Sequence, residues 1–247
     1  MPDYTQFSED WYCNLWLNTE MALPTSRETV LGFFERIQKS YPSLSRFTTR
    51  DNGDLVLEEE KDQGQRRWVA LEPRRICSGV FTPVDLDEAL EQHRLVLDIA
   101  PYMLSVSPLD CEAMDLMVGF DFTYAGNHDE LVIEALGAGT AFEGLAELPG
   151  TKPLQFEPSL RIGLDEEFRR QARVLVETRT TPAQVRRGDF GEDQISVYTT
   201  IRQYGGLRPG ESYTGVVDEL RTEFDQLLEG YVGDNILYPL KQMITAK

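Results

Sequence analysis

The chain has 247 residues, 41% hydrophobic and 27% charged, and its 42 acids against 24 bases give a net charge of −18. That much apolar material can bury a core without disulfides or metal, and it excludes global disorder. A field of that sign repels phosphate backbones and lipid headgroups, so neither direct nucleic-acid nor membrane binding is expected.

The opening, Met1-Pro2-Asp3-Tyr4, lacks the basic and apolar regions of a secretory signal. A first strand is predicted at residues 11–17. After Pro24, Thr25-x-x-Glu28 reads as a capping box for a helix in which Val30, Phe33, Phe34 and Ile37 recur at helical spacing. Tyr41-Pro42 ends it. Asp51-Asn52-Gly53-Asp54 predicts a hairpin between residues 44–50 and 55–60, built on a type I′ turn. Asp62-Gln63-Gly64 turns the chain into strands at 66–71 and 75–80. Consecutive Glu58, Glu59 and Glu60 alternate faces and suit a solvated edge, with Arg66, Arg67, Arg74 and Arg75 around Trp68 as the basic island facing them.

A second helix is capped by Asp85-x-x-Glu88, carries the stripe Leu86, Ala89, Leu90, His93, Leu97 and Ala100, and stops at Pro101. Residues 116–124 alternate, with Leu116, Val118, Phe120, Phe122 and Tyr124 on one face. Gly126-Asn127 predicts a hairpin turn toward residues 131–136, with His128 solvated in it. The first part reads β-α-β-β-β-α-β.

Residues 137–158 are punctuated by Gly and Pro and mark a connection between an acidic part, 1–136, and a second part, 159–247. The other reading makes this stretch a crossover within one continuous sheet. Charge shifts here too. Residues 1–150 hold 27 acids and 11 bases, a net of −16, whereas 151–247 hold 15 acids and 13 bases, a net of −2. Strands follow at 159–164, 172–180 and 194–204. Ser212 caps a helix with Val216, Val217, Leu220, Phe224, Leu227, Leu228 and Tyr231 on its apolar face. A last helix at 235–244 contains Pro239. The fold class is α+β: antiparallel sheet, amphipathic helices packed on one face, and two halves of similar make-up in which no residue pattern repeats at fixed spacing.

Motifs for chemistry are scarce. There is no phosphate-binding glycine loop, since Gly137-Ala138-Gly139 lacks its third glycine, and no cofactor is expected. His93 lies on an apolar stripe. As a base it would need Asp115 or Asp121 to orient it; the plainer account is a partly buried histidine satisfied by a backbone carbonyl. His128 beside Asp129 is too few ligands for a metal. Cys13, Cys77 and Cys111 are odd in number, widely spaced and set among apolar residues, which fits free thiols in a reducing cytoplasm. No catalytic residue is assigned.

The one suggestive constellation is Arg169, Arg170, Arg173, Arg179, Arg186, Arg187 and Arg202 around the C-terminal hairpin. Strand alternation puts Arg173, Glu177 and Arg179 on one face and Arg202 with Tyr198 and Thr200 on a paired strand. Arg173, Arg179, Arg202 and Tyr198 are therefore the candidate grip for an anionic ligand. The plainer account pairs the arginines with Glu177, Asp165, Glu166, Glu167 and the acidic first part. Aromatic residues read as core material, although an exposed patch among them would change that. Three function classes follow in order: a protein-interaction or accessory, inhibitory module that sets its acidic part against a basic partner, a small-molecule binding domain, and an enzyme built on His93.

Overall fold

A computed structural model describes residues 4–8, 10–60 and 64–247. Residues 1–3 of the opening segment, and Asp62 and Gln63 of the expected turn, lie outside the described residues. Among the described residues nine strands form one antiparallel sheet: β1 (Asp10–Thr19), β2 (Arg46–Thr49), β3 (Leu55–Glu58), β4 (Arg66–Glu72), β5 (Arg75–Phe81), β6 (Cys111–Tyr124), β7 (Ser159–Gly163), β8 (Arg170–Glu177) and β9 (Asp193–Tyr204). Their order across the sheet is β2-β3-β4-β5-β1-β6-β9-β8-β7. The helices are α1 (Arg27–Ser40), α2 (Leu86–Met103), α3 (His128–Leu136), α4 (Ala141–Ala146), α5 (Pro182–Arg187), α6 (Tyr213–Leu227) and α7 (Tyr238–Ala246). This is an α+β fold.

Periodicity explains the layering. In β1, Trp11, Cys13, Leu15, Leu17 and Thr19 are buried, and the residues between them are half-buried. The buried set joins one core with Val30, Phe33, Phe34 and Ile37 of α1, Leu86, Leu90 and Leu97 of α2, Leu131 and Val132 of α3, Val216, Leu220 and Phe224 of α6, and Leu240 of α7. Those five helices thus cover the same face. Each fully buried side chain of this size contributes roughly 1.5–3 kcal/mol, so this layer carries most of the stability.

The chain runs through the sheet twice in the same manner. β1 and α1 lead into the meander β2 to β5, and β5 returns beside β1. β6 and α3 lead into β7, β8 and β9, and β9 returns beside β6. β1 and β6 pair antiparallel where the two runs meet, from Asp10 opposite Asp121 to Asn18 opposite Ala113.

Several local expectations are corrected. Ser26, not Thr25, caps α1, accepting a bond from Thr29 N at 3.2 Å. Four strands separate α1 from α2, matching the ranges 44–50, 55–60, 66–71 and 75–80 rather than the three strands of the order β-α-β-β-β-α-β. The Asn52-Gly53 hairpin is not type I′, because only Gly53 takes a positive φ and its N–H donates to Arg50 O at 2.9 Å, which gives a longer loop. α2 continues past Pro101 to Met103. Residues 131–136 are helical, because the Asn127 side chain accepts from Asp129 N and Glu130 N and starts α3. Tyr231 is 59% exposed, because Leu228–Leu237 is π-helical and its wider turn brings Val232 inward instead. Pro239 sits in the first turn of α7, where its missing N–H is tolerated.

Candidate functional site

Tyr12, Asn14, Trp16 and Asn18 point away from the five core helices, and strand register assembles the rest of that open face. Tyr12 stands opposite Phe81 on β5 and Gly119 on β6, and Gly119 opposite Tyr198 on β9. Asn14 stands opposite Gly79, itself opposite Trp68. Trp16 stands opposite Cys77 and Asp115, and Asp115 opposite Arg202. Antiparallel sheets often leave one face to water, but that face is then lined with small polar groups; here it carries rings.

Two glycines let those rings lie down. A Cβ on Gly79 would meet the Trp68 indole at 2.2 Å, and one on Gly119 would meet the Tyr12 ring at 2.5 Å. Tyr12 stacks on Phe81 with centroids 5.6 Å apart and meets Tyr198 edge-on at 6.4 Å. Val56, Ala70 and Cys77 form a small apolar cluster on this face, with Trp16 and Trp68 packed against it.

Two recesses open here. The larger, about 490 Å³, is lined by Tyr12, Asn14, Gly64, Arg66, Trp68, Phe81 and Asp121. The second, about 290 Å³, contains Trp16, Arg75, Asp115, Arg161, Arg173 and Arg202, with Gln171 and Thr200 between them. Asn14 and Trp16 are neighbours on one face of β1, so the recesses adjoin at a spacing of roughly 7 Å.

Electrostatics differ between the two. In the smaller recess the Arg202 guanidinium grips the buried Asp115 carboxylate through Nε and, at 2.6 Å, Nη2. Asn18 donates to the same carboxylate at 3.1 Å. Those bonds hold Arg202 above its ordinary range, against a burial that lowers it. In the larger recess, burial raises the Asp121 carboxyl, although Ser196 Oγ donates to it at 2.5 Å and pulls the other way.

Of the residues singled out from sequence, Arg173 and Arg202 line the same recess. Tyr198 lies on the same face beside Tyr12. Arg179 stands past the end of β8 and donates to Gln194 O at 2.5 Å and Ser196 Oγ at 3.0 Å, next to Asp121 rather than with the other arginines. Arg169 pairs with Glu211, and Arg170 with Glu219 and Glu223, whereas Arg186 and Arg187, in the last turn of α5, enter no ion pair among the described residues. Arg66 meets Glu58 at 3.1 Å across the hairpin, but the Arg67 side chain turns to the helix side and meets Glu88.

The histidines lie elsewhere. His93 is fully buried under α2, with Nδ1 2.9 Å from Ser78 Oγ, and burial lowers its pKa to about 3. Asp115 and Asp121 project from the opposite face of the sheet, so neither reaches it. His128 is 1% exposed, not solvated. Its Nε2 lies 3.1 Å from Tyr124 O and its Nδ1 accepts from Arg179 N at 3.2 Å, which fixes a neutral ring whose pKa burial lowers. All three thiols are free and buried, and burial raises each of them, Cys111 to about 12. Among the described residues no cluster of three or more His, Cys, Asp or Glu is placed to hold a metal, and no helix is long and apolar enough to cross a membrane.

Sequence reasoning missed Tyr12, Trp16 and Arg161, and it assigned Trp68 and Arg75 to a basic island facing Glu58 to Glu60 rather than to a site. The strict alternation of Tyr12, Asn14, Trp16 and Asn18 with the apolar Cys13, Leu15 and Leu17 was a signal for Tyr12 and Trp16. A scan against protein-family models finds no match, and a search of curated proteins finds no similar sequence.

Proposed function

We propose that this protein is a non-catalytic binding module whose site is the open sheet face, where arginines hold the charged end of a small anionic ligand and aromatic rings carry its body. The observation that supports this most is the floor of that face. Gly79 and Gly119 admit flat rings beside an arginine-lined recess in a chain whose net charge is −18. A half-buried aromatic patch lining open recesses moves the ligand-binding reading ahead of the others.

Two of the three tryptophans, Trp16 and Trp68, stand on this face, and Trp11 is buried under the helices. Tryptophan fluorescence therefore reports occupancy. Native mass spectrometry in low and then moderate salt is expected to carry a small-molecule mass excess that salt removes, with the fluorescence changing in step. A chain that flies bare, with fluorescence indifferent to a panel of carboxylates, sulfates and phosphates, overturns the reading.

A second reading, capture of a basic protein partner, draws on the acidic first part. Glu28 and Glu35 of α1 and Glu91 and Asp98 of α2 are exposed and enter no ion pair among the described residues. Partner capture that is insensitive to salt between roughly 0.05 and 0.5 M would remove it.

A further inference from the structure

The arginine recess contains an electrostatic conflict that the fold does not resolve. β7 is the edge strand of the sheet, and its register with β8 sets Arg161 directly opposite Arg173. Side chains so placed have Cβ atoms about 4.5–5.5 Å apart, and like charges there repel. Edge strands do carry single charges against aggregation, but one arginine achieves that.

No acid of the neighbourhood pairs with Arg161 or Arg173: Glu167 meets Arg208, and Glu166 and Glu177 form no ion pair among the described residues. Asp165 accepts from the backbone of Arg169 and Arg170, at 2.9 Å each. Glu157 accepts from Thr178 N and Gln155 Nε2. Arg75 is matched by Glu72, which accepts its Nε at 2.8 Å, and Arg202 by Asp115. Arg173 makes one side-chain bond, from Nε to Ser159 Oγ at 3.2 Å, and Arg161 makes none among the described residues. With Glu72 and Asp115 set against Arg75 and Arg202, the recess keeps an excess of two positive charges, both on the Arg161–Arg173 pair.

We infer that the recess takes the dianionic end of a small phosphomonoester, with Arg161 and Arg173 as the clamp. A carboxylate would leave one charge unmatched; a phosphomonoester, carrying about −1.5 to −2 near neutral pH, matches both. Guanidinium forks bind tetrahedral oxyanions bidentately, and the free Nη atoms of Arg173 and the whole of Arg161 are available for it. Thr200, opposite Arg173, and Gln171, opposite Arg202, add a hydroxyl and an amide to the rim, and the Trp16 ring walls the side toward the larger recess. At about 290 Å³ the recess is small for a complete ligand, so the ligand body extends over Trp16 toward Tyr12 and Trp68. This rests on the binding reading above and names its ligand class.

The test uses the full chain at low, matched ionic strength, with inorganic phosphate, phenyl phosphate and benzoate as probes. Melting temperature and tryptophan fluorescence are read for the wild type, Arg161→Gln, Arg173→Gln and Arg46→Gln. Arg46 is an exposed arginine on β2, at the far end of the sheet. Phosphate and phenyl phosphate are expected to raise the melting temperature of the wild type and of Arg46→Gln. Either clamp variant should weaken them at least roughly tenfold. Without ligand, Arg161→Gln should melt about 1–2 °C above the wild type, because a repulsion has been removed. A merely structural arginine would not behave so. If benzoate binds as well as phenyl phosphate and neither clamp variant matters, the dianion clamp is overturned while the sheet-face site survives. If no probe acts and Arg161→Gln is less stable than the wild type, both readings fall.

Discussion

The two faces of the sheet are built from the same strands and do opposite work. On the helix side, Trp11, Cys13, Leu15 and Leu17 are at most 1% exposed. On the open side, Tyr12, Asn14, Trp16 and Asn18 alternate with them and remain half-buried. The buried residues of β1 belong to the core that the five helices share, and the alternate residues lay rings and amides on a surface that the described residues leave open. The sheet also acts as a wall. It separates His93 from Asp115 and Asp121, so groups close in sequence pattern never share a site. Stability and recognition can thus be altered independently by substitutions one residue apart.

The largest expected effect tests that division directly. Phe120, fully buried against Tyr4 and Phe7, should cost about 3–5 kcal/mol when changed to alanine. Trp68→Ala, a larger truncation on the open face, should cost no more than about 1–2 kcal/mol, because its ring is half-buried and part of its contact is already with water. Urea unfolding of both variants decides it. Equal losses would mean that the open face is a second core, and the contrast between the faces would vanish.

The covered face was the more legible in the sequence. Val30, Phe33, Phe34 and Ile37, and then Leu86 to Ala100, follow the helical period so closely that their burial needs no other information. Arg173 and Arg202 were reachable because strand alternation is equally local. Arg161 opposite Arg173 was not, since register depends on how the loop between β7 and β8 closes. Arg75 and Trp16 reach the same recess from the other half of the chain, which only the pairing of β1 with β6 brings about. His128 was misread because Gly126-Asn127-His128-Asp129 has turn composition, while Asn127 is in fact a helix cap. Its bonds to Tyr124 and Arg179 then bury the ring.

The next effect is a pH dependence that belongs to the covered face. His93 stays neutral in the fold down to about pH 3, whereas the unfolded chain protonates it near 6.5. Between those values the unfolded state binds more protons. Stability from this group is therefore complete above about pH 6.5 and declines as pH falls toward 3, by at most about 1.4 kcal/mol per pH unit. His128, also lowered, has the same sign. Asp121, raised by burial, opposes both just above the ordinary carboxylate range, where the fold binds the extra proton and gains stability as pH falls. His93→Gln should flatten the slope of unfolding free energy between pH 6.5 and 4 relative to the wild type. An unchanged slope would mean that the ring is not held neutral.

The smallest expected change in stability carries the sharpest consequence for the open face. Gly79→Ala places a methyl group 2.2 Å from Trp68 Nε1 and 2.5 Å from Asn14 Oδ1, so the indole must leave the sheet. The backbone there is ordinary strand, the alanine itself suits it, and the displaced ring was only half-buried. The net cost should be within about 1 kcal/mol. Gly144→Ala, in α4 with nothing within 4 Å of the new methyl, should instead stabilise by about 0.4–1 kcal/mol. The decisive readout is optical: in Gly79→Ala the emission of Trp68 should move to the red as the ring enters water, and in Gly144→Ala it should not. Were Gly79→Ala to keep the wild-type spectrum, the ring would not be lying over Gly79, and the aromatic floor of the proposed site would be lost with it.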